Sequence, residues 1–314
     1  MLRRILEIAE DDQYLSVDRG FLVVRKGDEI RGRIPLDDIG ALIGNAHGLV
    51  YSGNALNALA SRGTPTVICG SNHSPVALVW PVEQHYEQAA RMAAQIATTL
   101  PTRKRLWKLV TQQKIREQAS LLRILGKAHL QLERLAARVK PGDPSNLEAQ
   151  AAKHYWRNLF GKDFRRDPDL DGVNALLNYG YAVLRSAVAR AVVAVGLHPS
   201  IGLFHSNPRN AFQLVDDLME PFRPSVDAMV HVLSKAGKEE VDKTVKRELA
   251  MTLYRDRRMN GCATPLVRCI ELSVLSLCSA IEDAKAGIEF PDLLDEEFLN
   301  GPEEGHDSES EEVA

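Results

Sequence analysis

Residues 103–139 read RKRLWKLVTQQKIREQASLLRILGKAHLQLERLAARV, and this stretch separates the chain into two textures. Strong helix formers fill it and its apolar residues recur at helical spacing, so it predicts helix. A second helical segment, YEQAARMAAQIATTL, lies before Pro101, and Pro141-Gly142-Asp143-Pro144 ends the run. Upstream of about residue 84 the pattern changes. RRILEIAE, FLVVRKG, IRGRIP, DIGALIG, TPTVICG and PVALVWP are short apolar or alternating runs divided by turn residues, and they predict strands. One helix interrupts them in YSGNALNALASRG, where Ala55, Leu56, Leu59 and Ala60 form a stripe and Gly63 marks the stop. Downstream, helices are expected at roughly 145–160, 171–195, 210–220, 225–236, 239–255 and 263–285. The fold class is therefore α+β: a small N-terminal β-sandwich-like domain, then a larger all-α domain. The expected divisions are a β-rich unit at 1–80, a linker and first helix at 81–100, and the helical domain at 101–285. An acidic tail expected to be disordered completes the chain at 286–314.

A chain of 314 residues, 45% of them apolar, is long enough for two domains with real cores. No apolar run approaches the length of a membrane span, and MLRRILEIAEDDQYLSV is unlike a secretory signal, so a soluble cytoplasmic protein is expected. Cys69, Cys262, Cys269 and Cys278 form no C-x-x-C pair, which argues against a zinc ribbon or redox motif and for reduced packing residues. The net charge of −3 hides an asymmetry. Residues 282–314 hold 13 acids and one lysine, whereas residues 101–140 hold 11 basic residues and 2 acids. A basic body with an acidic end points to a polyanionic partner, although a solvated helix face has the same composition.

Three segments offer metal-ligand chemistry. In AFQLVDDLMEPFRP, residues 211–224, Asp217 and Glu220 are i,i+3 neighbours and Asp216 and Glu220 are i,i+4 neighbours before Pro221 stops the helix. Like charges at that spacing repel, so solvent, a basic group or a divalent cation must compensate them. In DPSNLEAQAAKHYW, residues 143–156, Ser145 or Asn146 is a candidate helix cap and Glu148 lies near the first turn among small alanines. On this segment alone, Glu148 reads first as a glutamate favouring the helix dipole. In GLHPSIGLFHSNPRNAF, residues 196–212, an irregular loop between helices carries His198 and His205. His205 also reads as a packing residue and His198 as a helix-end or exposed residue. Carboxylates with one neutral imidazole suit manganese or magnesium rather than structural zinc, and such an ion favours phosphodiester chemistry. Spacing alone does not bring the three segments together.

The stretches NLEAQAAKHYWRNLFGKDFRR, DGVNALLNYGYAVLRSAVARAVVAVGLHPSIGLFH and NAFQLVDDLMEPFRPSVDAMV, with the weaker YSGNALNALASRGTPTVICG, carry a resemblance. The chain resembles the spacer-acquisition integrases of CRISPR adaptation, the first-numbered of the CRISPR-associated proteins, in the form that accompanies type II loci. The likeness covers roughly residues 1–285. It implies a metal triad of Glu148, His205 and Glu220 in an all-α catalytic domain, with Asp217 matching a further acid beside the site. One departure is Phe204, where many type II relatives carry a second histidine. Asp216 is expected to be structural, capping or pairing with Arg223, and that arginine could instead meet DNA or a buried acid.

The activity implied is metal-dependent DNA integration and endonuclease action with Mn2+ or Mg2+. The 3′-hydroxyl of a captured double-stranded fragment attacks a phosphodiester at the edge of a CRISPR repeat. The partners implied are DNA, a second copy of the chain joined through the β domain, and a small ferredoxin-like adaptation protein in a four-plus-two complex. The type II effector nuclease is a further possible partner, and no membrane is involved. Phosphate contacts are expected from Arg103, Lys104, Arg105, Lys108, Lys114, Arg116, Arg165, Arg166 and Arg209. Two rivals remain: a stand-alone structure-specific repair nuclease, and a non-catalytic DNA-binding scaffold whose carboxylates are merely paired with arginines.

Overall fold

A computed structural model describes residues 4–70, 75–79, 87–283 and 285–300. Eight strands fall in the N-terminal part: β1 (Arg4–Ile8), β2 (Tyr14–Asp18), β3 (Phe21–Lys26), β4 (Glu29–Pro35), β5 (Ile39–Gly44), β6 (Val50–Tyr51), β7 (Thr66–Cys69) and β8 (Pro75–Val79). They build two four-stranded sheets, ordered β1-β5-β7-β8 and β4-β3-β2-β6. The first pairs β1 with β5 and β5 with β7 in parallel, and β7 with β8 antiparallel. The second is an antiparallel meander of β2, β3 and β4 to which β6 adds in parallel. Helix α1 (Gly53–Ala60) separates β6 from β7 and starts at Ser52, whose hydroxyl accepts from Ala55 N at 3.1 Å. Ile8, Leu15, Leu22, Val24, Leu42 and Leu59, drawn from both sheets and α1, share one core. The six expected strands are present. The short β2 and β6 are additions, because YLSVD alternates too weakly and β6 spans only Val50–Tyr51.

The helical part runs α2 (Gln88–Ala97), α3 (Leu100–Ile124), α4 (Leu130–Arg138), α5 (Leu147–Leu159), α6 (Val173–Ala194), α7 (Gln213–Met219), α8 (Arg223–Lys235), α9 (Lys243–Met251), α10 (Leu266–Glu282) and α11 (Glu296–Asn300). The stretch 103–139 is two helices, not one, because the chain turns at Gly126 with φ +66°. Pro101 falls in the first turn of α3, where its missing N–H costs nothing. Helix α6 is buried along nearly its whole length, including Leu176, Leu184, Val188 and Val192, and forms the centre of the larger core. Gly180 lets it approach α8, since a Cβ there would collide with Val226. A β hairpin of β9 (Asp256–Met259) and β10 (Cys262–Pro265) interrupts the helices. Its turn residues Asn260 and Gly261 take φ +54° and +77°, as a tight two-residue hairpin demands. The hairpin's Arg257 pairs with Glu117 of α3 at 2.9 Å, both side chains being 1% exposed.

Residues 286–300, expected to belong to a disordered tail, are ordered instead. Leu294 and Phe298 are each 1% exposed and join the core of α3, α4 and α5. The acids of this segment sit between apolar anchors, and hydrophobic burial outweighs composition. The remainder of the expected tail, 301–314, lies outside the described residues. Among the described residues no helix is long and apolar enough to cross a membrane.

His231 of α8 supplies a pH-dependent component of stability. It is 7% exposed and its ring lies 5.9 Å from that of Phe160. Burial first, and the charges of Lys127 and Lys235 second, lower its pKa to about 4. The unfolded chain therefore takes up a proton that the folded chain refuses. Stability from this site is complete above the ordinary value of 6.5 and is lost as pH falls toward 4. The loss is at most about 3 kcal/mol. Urea unfolding at pH 7 and pH 4.5 is expected to show a smaller acid loss in His231→Gln than in the parent, and equal losses would refute the assignment.

Candidate active site

Helix α7 carries Asp216 and Asp217, and a 3-10 turn, Glu220–Phe222, carries Glu220 before α8 begins. Pro221 ends α7 as expected, but the chain resumes helix at once. The three acids do not share one counter-charge. Asp216 accepts from Arg185 at 2.6 and 2.9 Å and from Asn210 at 2.7 Å, so its partner is Arg185 and not Arg223. Asp217 is fully buried. Its carboxylate accepts the backbone N–H groups of Leu203, Phe204 and His205 at 2.6, 3.0 and 3.3 Å. It also takes the ring Nδ1 of His205 at 2.5 Å. The loop can wrap this carboxylate because residue 202 is glycine, where a Cβ would stand 2.9 Å from Asp217 Oδ2.

The hydrogen bond to Asp217, opposed by partial burial, raises the pKa of His205. With Nδ1–H given to Asp217, the neutral ring presents the lone pair of Nε2. The ring also stands edge-on to Trp107 and Phe204, at 5.8 and 5.9 Å. Phe204 stacks on Trp107 at 4.5 Å and is 49% exposed. The position where relatives were expected to carry a second imidazole thus holds an aromatic face. His198 bonds to Ser200 and takes no part here.

Glu220 is 6% exposed. Its Oε1 accepts from Arg223 Nε at 2.8 Å, and its Oε2 lies 2.5 Å from Lys114 Nζ. Burial alone would raise this carboxyl, but Arg223 and Lys114 outweigh it and hold the pKa at about 2. The Lys114 contact is electrostatic without alignment, and Oε2 receives no well-directed hydrogen bond. The same ammonium meets Glu148 Oε1 at 2.6 Å. Burial alone would lower the pKa of Lys114, and the two carboxylates reverse that and raise it. Glu148 opens α5, whose N-terminus is capped by neither Ser145 nor Asn146. Asn146 is left-handed at φ +48° with no capping bond, and Asp143 accepts from Leu147 N and Glu148 N, each at 2.9 Å.

A cleft of about 610 Å³ opens beside Glu220 and His205. Arg166, Arg185, Arg223 and Lys246 line it together with Asn178, Tyr179 and Tyr181. Arg223 lies over the Tyr181 ring at 4.4 Å. The Tyr181 and Tyr155 hydroxyls both donate to the buried Asp227, whose pKa burial raises to about 6. Tyr181 is thereby fixed as one wall of the cleft.

The structure thus joins Glu148 to Glu220 through Lys114 and places His205 in the cleft that Glu220 lines. Among the described residues, no three His, Cys, Asp or Glu side chains stand close enough to hold a metal ion in this arrangement. Two carboxylates converging on one ammonium, one oxygen lacking a directed donor, and an imidazole in the same cleft still match a hard divalent ion in donor type.

Of the residues expected on phosphate, Lys104, Arg116, Arg165 and Arg209 are exposed, Lys108 and Arg103 are half-buried, and Arg166 lines the cleft. Arg105 instead donates to the carbonyls of Ala280 and Ala286 at 2.9 and 2.6 Å, tying α3 to the end of α10. Lys114 is committed to the two carboxylates. Sequence reasoning put Lys114 on phosphate instead of between the two carboxylates, and missed Arg185, Tyr181 and Lys246 as parts of the site. A signal existed for Lys114: it falls on the buried stripe Trp107, Val110, Thr111, Gln118 and Leu121 of α3, where a charge requires a partner.

The profile of the family described as CRISPR associated protein Cas1 matches residues 6–260. The CRISPR-associated endonuclease Cas1 of Neisseria meningitidis serogroup C is 34% identical over 285 residues, spanning 89% of this chain and 93% of that one. A CRISPR-associated endonuclease Cas1 of Pyrobaculum aerophilum is 30% identical, spanning 84% and 93%. Among solved structures, a casposase bound to its integration product superposes with a TM-score of 0.77 at 21% identity, over 91% of this chain and 93% of that chain. A Cas6-RT-Cas1–Cas2 complex gives 0.73 at 18% identity, over 91% of this chain and 36% of that one. These two likenesses concern the fold.

Proposed function

The chain belongs to the CRISPR-associated Cas1 family, and from that premise we propose that it is a DNA integrase and endonuclease of CRISPR adaptation. It joins the 3′-hydroxyl ends of captured DNA to a CRISPR repeat. The observation that carries this reading is the cleft: Glu220 and His205 sit among Arg166, Arg185, Arg223 and Lys246. Acids ringed by cations suit a phosphodiester, whose charge the cations bind while the acids address its reacting centre. Mn2+ or Mg2+ held by Glu148, Glu220 and the Nε2 of His205 would stabilise charge on the phosphate oxygens.

The residues of the chain supply the rest. Asp217 fixes the tautomer and attitude of His205. Arg223, anchored between Glu220 and Tyr181, presents a guanidinium at the cleft wall. The attacking 3′-oxygen forms a new P–O bond while the repeat strand's own bridging oxygen leaves, so no serine or tyrosine nucleophile is required. Water in place of that hydroxyl gives endonuclease action. Insertion at two strands calls for two sites at a fixed separation, which a two-fold homodimer supplies; a Cas2-like ferredoxin-fold partner would join two such dimers in a four-plus-two complex, and in type II systems the effector nuclease would be an additional partner.

One observation favours a second reading, the non-catalytic scaffold: Asp216, Glu148 and Glu220 all have basic partners. The decisive experiment is transfer of a labelled short duplex into a repeat-bearing supercoiled plasmid, with the Cas2-like partner and manganese. Joined product supports the integrase. Salt-sensitive binding without joining or nicking supports the scaffold, and nicking without joining supports a repair nuclease.

A further inference from the structure

Lys114 has an unusual position for a lysine. It projects from the buried stripe of α3 with a side chain 12% exposed, and its ammonium contacts Glu148 of α5 and Glu220 of the 3-10 turn at 2.6 and 2.5 Å. Three segments far apart in sequence therefore meet at one nitrogen. Without that charge two carboxylates would face each other across a poorly solvated gap, which is costly at the low effective dielectric of such a site.

We propose that Lys114 is the site's internal competitor for its divalent cation, holding Glu148 and Glu220 together as a counter-charge and releasing both when the cation binds. The inference rests on the reading that these two carboxylates take such an ion. A divalent cation held by both carboxylates would have to share them with the ammonium already set between them, so ammonium and cation would oppose each other by charge. A lysine suits this exchange better than an arginine. Its ammonium is a point charge on a flexible four-carbon stem, whereas a guanidinium would lock onto a carboxylate through a planar two-point fork. Among the described residues, the Lys114 ammonium is the one group set against Glu220 Oε2, so the exchange gives up that ion pair and no further hydrogen bond at this oxygen. Arg223 remains on the other oxygen of Glu220 throughout and keeps that carboxylate ionised and aimed.

The test is Mn2+ binding to the full-length protein, read as free Mn2+ by electron paramagnetic resonance, with the melting temperature followed with and without Mn2+. Lys114→Met keeps the length of the stem and removes the charge. It is expected to bind Mn2+ about ten- to a hundred-fold more tightly than the parent, to melt lower without the ion, and to gain more from it. Lys114→Arg guards against a methionine variant that fails to fold, and is expected to bind Mn2+ at least tenfold more weakly than the parent. If Mn2+ binds the parent, and Glu148→Gln abolishes that binding, but neither Lys114 variant moves the affinity in its stated direction, Lys114 is a structural ion-pair partner and this inference is overturned. If Mn2+ binds none of the proteins, or binds Glu148→Gln as well as the parent, the metal reading itself fails and the competitor role fails with it.

Discussion

A Glu148→Gln protein is expected to fold as the parent does and to lose strand transfer about a thousand-fold, the factor corresponding to several kcal/mol of charge stabilisation at the phosphate. Glu148 is the right acid for this comparison. Its side chain is 23% exposed, and the N-terminus of α5 is held by Asp143, not by Glu148 itself. The amide retains the shape of the carboxylate and can still accept a hydrogen bond from Lys114, which keeps Glu220 as its counter-charge. Changing Glu220 would be harder to interpret. It would leave Arg223 and Lys114 short of their shared carboxylate in a buried place, and the unfolding cost would mix with the catalytic one. The measurement is joined product per active molecule, with DNA affinity determined in parallel. Loss of joining with unchanged affinity assigns Glu148 to the chemical step. Joining within threefold of the parent would remove it from the site.

The sequence made the broad plan readable because it is written in local periodicities. Alternating runs gave the six principal strands, and long amphipathic runs gave the helices. What escaped depends on contacts between distant segments. Asp143 caps α5 through a left-handed turn that puts its carboxylate over the N–H groups of Leu147 and Glu148; reading the cap from the nearest Ser or Asn missed it. The hairpin at 256–265 had its Asn260-Gly261 turn in plain view, but its strands are four residues each and look like helix ends in isolation. The segment 286–300 was judged by its acids, whereas Leu294 and Phe298 decide its place.

At the site, the identities of Glu148, His205 and Glu220 came from motif resemblance, and their tertiary linkage could not have come from spacing. The three acids on the short segment 216–220 are compensated in three separate ways. Arg185 compensates Asp216, a cradle of backbone amides and a histidine compensates Asp217, and Lys114 with Arg223 compensates Glu220. Like-charge repulsion along the helix is thus relieved partly by a local partner, Arg223 at i,i+3 from Glu220, and otherwise by groups on α3, α6 and the loop that carries His205, which lie too far away in sequence for a local rule to find.

Asp217 carries the other large effect. Asp217→Asn is expected to lower strand transfer and Mn2+ affinity ten- to a hundred-fold, the usual scale for removing the group that orients a metal-binding histidine. It should also destabilise the protein by on the order of 2 kcal/mol or more. Both effects have one cause. The two oxygens of Asp217 receive three backbone N–H groups and the ring of His205, and an asparagine offers one oxygen where two are needed. Its NH2 group would be turned either at the amides of the loop or at the imidazole, and both are donors. Loop 203–205 would then lose its latch, and His205 the bond that sets its tautomer. Asp217→Glu separates orientation from mere space filling, because it restores two accepting oxygens at a changed distance. It should recover stability in part while leaving Mn2+ affinity low. An asparagine variant that binds Mn2+ and joins DNA within twofold of the parent would show that His205 needs no such support, and would move Asp217 from a positioning role to simple loop packing.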